Sequence, residues 1–192
     1  LIDNGFVNGS PSKGTVFEKG LRTPVFFSWP KGIAGGRTSS ELVCAVDLYR
    51  TILDYAGVPA PSSAAGIDLR PTLDGTAQHV RDAIYGAVYR YKDRPGPRRP
   101  EKDVYAVYAR TPRWKFVLYL RKVDPENYVF FNEFAAFPAR ERGQRELFDL
   151  QQDPYERHDL SRDSSHAALM DELLQGCLAW WKETGGGELD LP

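Results

Sequence analysis

A carboxylate and a side-chain amide stand next to each other at Asp3-Asn4, directly after the apolar pair Leu1-Ile2. Nine residues after Asn4 comes Lys13, followed by Gly14, Thr15 and Glu18, and Arg22-Thr23-Pro24 closes the stretch. Asp and Asn offer hard oxygen donors, which suit Ca2+ or Mg2+ rather than a soft metal. An ammonium group beside such a cation would attract an anionic ester and stabilise charge developing on its oxygens. Each residue also has a plain reading. Asp-Asn-Gly is a common way to start a turn, and a single lysine is often just a solvated side chain.

Chemistry of this kind needs elements that hold the groups in place. Leu1-Ile2 reads as the end of a buried strand. That puts Asp3 and Asn4 just past a strand, where open α/β sheets bind ligands. Residues 5–20 are rich in Gly, Ser and Lys and read as a loop. The apolar run from Pro24 to Trp29 predicts a strand of an α/β sheet. Thr38-Ser39-Ser40-Glu41 has the form of a capping box. Leu42, Ala45, Val46, Tyr49, Leu53 and Ala56 then recur at helical spacing, so a helix is predicted over 39–56, ended by Gly57 and Pro59. Further on, Ala83 to Tyr89 reads as a strand, and residues 90–103 as a charged, proline-rich loop. Residues 104–110 and 114–120 predict an antiparallel hairpin about Thr111-Pro112-Arg113. Trp114, Phe116, Leu118 and Leu120 share one of its faces, and Lys115, Val117, Tyr119 and Arg121 the other. Glu146 to Leu150 is a short strand. Met170, Leu173, Leu174, Cys177, Leu178 and Trp181 form one stripe of a terminal helix over 166–183.

The 192 residues carry a net charge of −1, so no bulk field points to nucleic acid or a membrane surface. No run of 18 apolar residues is present, hence no membrane span is visible. Two cysteines make no disulfide framework, and both Cys44 and Cys177 read as core filling on helix faces. His79, His158 and His166 lack metal-ligand spacing and read as surface residues. The basic part of 90–103 is diluted by Asp93, Glu101 and Asp103, and reads as a solvated loop.

Four segments, in order, resemble type I sulfatases of the alkaline-phosphatase-like superfamily. The opening stretch resembles the family's Asp-Asn-Gly, Lys-Gly-Thr, Glu-x-Gly and Arg-x-Pro series. Asp47 and Thr51 with Ala56-Gly57-Val58 resemble the helix after the metal site. Gly66-Ile67-Asp68-Leu69-Arg70-Pro71 resembles the segment that follows. Glu146 to Leu150 and Asp153-Pro154-Tyr155-Glu156 resemble the hallmark near the family's C-terminus. Ile2, Lys19 and His158-Asp159 depart from the usual pattern. The family's Cys-x-Pro-x-Arg signature is absent, so the expectation is the C-terminal part of a larger enzyme.

The resemblance implies an α/β fold: the C-terminal portion of a sulfatase catalytic α/β sandwich over 1–82, and a small antiparallel sheet packed by a C-terminal helix over 83–192. It implies a sulfuric ester hydrolase acting on a sulfate ester, with Asp3 and Asn4 as ligands of Ca2+ or Mg2+ and Lys13 on the sulfate oxygens. It places Thr15 and Glu18 in shaping the loop. The nucleophile, a formylglycine made from Cys or Ser, and a His or Lys that protonates the leaving alcohol would lie elsewhere in the enzyme. It also suggests a periplasmic, secreted or lysosome-like compartment. Two other readings stay open: a phosphonate or phosphate monoester hydrolase of the same superfamily, and a structural or binding module without catalysis.

Overall fold

The computed structural model describes residues 15–77, 79–89, 99–123 and 139–192. In chain order the elements are α1 (Glu18–Leu21), α2 (Ala45–Tyr55), α3 (Arg70–Asp74), β1 (Ile84–Tyr89), α4 (Pro100–Asp103), β2 (Val104–Arg110), β3 (Trp114–Tyr119), β4 (Arg145–Asp149), a 3-10 turn (Ser164–His166) and α5 (Ala167–Glu183). They fall into two compact units, one of residues 25–84 and one of residues 1–24 with 85–192.

The larger unit is a four-stranded sheet in the order β1-β2-β3-β4, with α5 packed on one face. β2 and β3 pair antiparallel with Val107 opposite Leu118 and Ala109 opposite Phe116. β3 and β4 pair antiparallel with Phe116 opposite Leu147. The predicted hairpin and terminal helix therefore form where the sequence places them. Alternation along β3 sends Phe116, Leu118 and, just past its end, Leu120 towards Met170, Leu173, Cys177 and Trp181 of α5, which together form one buried cluster. Trp114 sits half-buried at its edge. Burial drives the Cys177 thiol up to about 12, as befits a core side chain. Gly176 of α5 lies against the Tyr85 ring of β1, whose hydroxyl end would have to shift to admit a Cβ there. Phe116→Ala should therefore cost about 3–5 kcal/mol, through lost transfer energy and the cavity left behind. A urea midpoint within error of wild type would contradict this packing.

The opposite face of the sheet is buried as well. Val117 and Tyr119 of β3, Tyr105 and Ala106 of β2 and Phe148 of β4 pack with Val16 and Phe17, which precede α1. The segment before α1 is thus part of the sheet's second core.

Around the unit of residues 25–84 three expectations are corrected. Residues 24–29 form no strand among the described residues. Val25 and Phe27 are half-buried there and Phe26 and Ser28 exposed. The segment keeps the period of a strand, but no described backbone pairs with it, and a ladder needs a neighbour. The helix runs over Ala45–Tyr55 rather than 39–56. The cap is Cys44, not the hydroxyl pattern at 38–41: the Cys44 backbone N–H donates to the Asp47 carboxylate at 2.7 Å, which closes the helix end six residues late. Cys44 is therefore a cap residue and not a core side chain on the helix face. The buried positions of α2 are polar, Asp47 and Thr51, whereas Val46 and Tyr49 of the predicted stripe are exposed and Leu53 is half-buried.

Candidate functional site

Asp3, Asn4 and Lys13 lie outside the described residues, as do residues 90–98 of the charged loop. Among the described residues, no group of three or more His, Cys, Asp or Glu side chains could hold a metal ion. What the structure does describe is how the chain is fastened from Thr15 onward, two residues after Lys13.

Thr15, Val16 and Phe17 are buried, and Phe17 packs on Phe148 with ring centroids 6.0 Å apart. Phe17 then caps α1 in an extended conformation, and Glu18 opens the helix. The Glu18 carboxylate points into the sheet. Its Oε1 accepts from Lys115 Nζ at 3.3 Å, and its Oε2 accepts from Arg110 at 3.3 Å. Lys115 is fully buried on the face away from α5, with its ammonium 4.4 Å from the centroid of the Tyr108 ring. Burial pushes the Glu18 carboxyl up, but Lys115 and Arg110 win, and its pKa lies below the usual carboxylate range. Burial pushes Lys115 down, opposed by Glu18 and Glu156. Such a pair is held by its partners: removing one leaves a buried charge uncompensated.

A third member comes from the turn after β4. Asp153 accepts from the backbone N–H groups of Arg157 and His158, which shapes the Asp153-Pro154-Tyr155-Glu156 turn. Glu156 has a left-handed backbone, φ 54°. For a residue with a Cβ this costs about 1–2 kcal/mol that glycine would not incur. Its Oε2 accepts from the Glu18 backbone N–H at 2.7 Å. Its Oε1 is buried with no hydrogen-bond partner among the described residues. Burial, opposed by Lys115 and by the Glu18 N–H, drives the Glu156 carboxyl up to about 7. Beside this cluster, Glu146 is bonded by Arg140 and by the Tyr119 hydroxyl.

The unit of residues 25–84 carries a second polar knot. The Asp47 carboxylate accepts from Cys44 N–H, from Ile67 N–H at 3.0 Å and from Arg81 at 2.6 Å. Thr51 Oγ1 donates to the Asp47 carbonyl and accepts from Leu69 N–H. Gly66 lies so close that a Cβ would sit 2.3 Å from the Val46 carbonyl oxygen. The Asp-x-x-x-Thr and Gly-Ile-Asp-Leu segments are thus two halves of one structural joint. None of the three histidines enters either cluster. His79 pairs with Asp82, His158 with Asp153, and His166 packs at a tilt against Trp114.

The Glu18 cluster was only partly visible in the sequence. The position of Glu18 marked it as a loop-shaping residue. Lys115 reads as any lysine alternating along a strand, and Glu156 only as the last residue of the Asp153-Pro154-Tyr155-Glu156 hallmark.

A family model described as N-sulphoglucosamine sulphohydrolase, C-terminal, matches residues 9–132. The chain is 26% identical over 187 residues to an ulvan-active sulfatase of Formosa agariphila, covering 93% of this chain and 36% of that protein. It is 28% identical over 177 residues to an N-acetylglucosamine-6-O-sulfatase of Bacteroides thetaiotaomicron, covering 90% of this chain and 28% of that protein. It is 32% identical over 157 residues to human arylsulfatase A, covering 77% of this chain and 28% of that protein. A solved structure described as a complex with its substrate D-glucosamine-2-N,6-O-disulfate matches 89% of this chain and 30% of its own, with a TM-score of 0.65 and 26% identity. The chain therefore spans about a third of the length of the curated relatives it matches.

Proposed function

Because the chain belongs to the N-sulphoglucosamine sulphohydrolase C-terminal family of sulfatases, we propose that it supplies one side of the active site of a sulfuric ester hydrolase. In this reading Asp3 and Asn4 give oxygen donors to a Ca2+ or Mg2+ ion, and their hard-donor chemistry suits such a cation. The cation, when bound, polarises the sulfate oxygens. Lys13 holds the same oxygens and offsets negative charge as the ester bond breaks. A formylglycine nucleophile and the remaining metal ligands would come from elsewhere in the enzyme.

The observation that carries this reading is the fastening of the Lys13 loop. Two residues after the lysine, the chain enters a buried core and locks through Glu18 to Lys115 and Arg110. A loop that supplies a sulfate-binding cation has to be held to a fraction of an ångström, and charged groups buried at its end supply that stiffness. The bound sulfated glucosamine of the solved relative supports a sulfated substrate as the class.

The test is turnover by the whole sulfatase that contains this chain. It should hydrolyse an aryl sulfate, and exchange of its formylglycine-forming residue should abolish that activity. Residues 1–192 alone should hydrolyse nothing. Turnover by the isolated chain would refute the division of roles. A whole enzyme that cleaves a phosphonate monoester and no sulfate ester would refute the substrate class.

A further inference from the structure

The geometry points to Glu156 as a positioning residue: from the turn after β4 it pins the backbone at Glu18, and so fixes the trailing end of the loop that carries Lys13. The inference rests on the function proposed above. Three observations on different elements converge on it. Glu156 Oε2 takes the Glu18 N–H at 2.7 Å across 138 residues of sequence. That N–H belongs to the first turn of α1, where no helical carbonyl is available to accept it. The side chain of the same residue is gripped from beneath by Lys115 and Arg110, so Glu18 is held at both backbone and side chain by three separate segments.

The third observation is the strained backbone of Glu156. A left-handed turn position is one where glycine would be easier. Keeping a carboxylate there makes sense only if the side chain has work, and strain of this kind is evidence for a role when it is coupled to such a contact. The neighbouring charges tell which property matters. Glu156 faces Lys115, Glu18 and Glu146, and burial favours its uncharged form. Its contribution is therefore the acceptor oxygen more than the negative charge. Glutamine should serve nearly as well.

This separates Glu156 from a simple turn former. Glu156→Gly relieves the backbone strain but removes the acceptor. Glu156→Gln keeps the strain and the acceptor. In the whole sulfatase, hydrogen exchange in the peptide spanning Thr15–Leu21 should speed up about tenfold or more in Glu156→Gly, as expected when a buried backbone donor loses its acceptor. Exchange in β3 should not change. With an aryl sulfate, Glu156→Gly should lower kcat by about tenfold or more with KM within about twofold, because a displaced Lys13 loop loses transition-state stabilisation first. Glu156→Gln should restore both measurements to within about threefold of wild type.

Unchanged exchange in Glu156→Gly would overturn the inference. So would faster exchange with an unaltered kcat, or a Gln variant as impaired as the Gly one. If the wild-type enzyme turns over no sulfate ester, the proposed function fails instead, and the anchoring of Glu18 is then decided by the exchange data alone.

Discussion

Lys13→Ala in the whole sulfatase should slow turnover by roughly 10²–10³-fold while KM and bound metal change little. That size is typical of losing one charge-stabilising donor, the role proposed for Lys13. Its pattern follows from where the charge is needed. Negative charge builds on the leaving oxygen as the ester bond breaks, so an ammonium in the proposed position would contribute more to the transition state than to the bound ground state. Asp3→Ala should behave differently. In its proposed role Asp3 holds the metal, so the variant is expected to lose both bound Ca2+ and Ca2+-dependent activity. Metal content measured beside kcat and KM separates the two residues. A Lys13→Ala enzyme with kcat unaltered and KM raised would make Lys13 a uniform binding group. An Asp3→Ala enzyme that keeps its metal would remove Asp3 from the site.

Asp47→Ala should destabilise the unit of residues 25–84 by about 3–5 kcal/mol, the range for breaking a buried, hydrogen-bonded ion pair. Asp47 is fully buried and its carboxylate serves Cys44 N–H, Ile67 N–H and the Arg81 guanidinium at once. Alanine would leave two backbone donors and a guanidinium without their acceptor. Asp47→Asn keeps the shape and one acceptor oxygen, and should fall between alanine and wild type. Pulse proteolysis in urea, reading cleavage between Cys44 and Leu69, measures the effect. A midpoint for Asp47→Ala equal to wild type would show that the joint between α2 and the Gly66 segment is held by other contacts.

Where local pattern and packing agree, the structure follows the pattern. Alternation over 104–120 set the hairpin and sent Phe116 and Leu118 to α5. The stripe from Met170 to Trp181 set the face that α5 buries. The pattern misled where the outcome depended on a partner. Residues 24–29 keep a strand's period without a described neighbour to pair with. Val46 and Tyr49 of the predicted α2 stripe are exposed, while Asp47 and Thr51 point inward. Hydrogen bonds to the Gly66–Leu69 backbone decide that helix's orientation, and periodicity carries no information about them.

The sequence by itself determined the family, through four motifs in order, and with it the kind of chemistry to look for at Asp3, Asn4 and Lys13. Those motifs are local, so they can be read without knowing what they touch. Only the tertiary structure decided that Glu18, Lys115 and Glu156 meet. They come from three segments as far apart as 138 positions and carry side chains that on most surfaces would be solvated. Their meaning arises from burial. Once water is excluded, a charge or a backbone N–H must find its partner within the protein, and that pairing is a property of the fold.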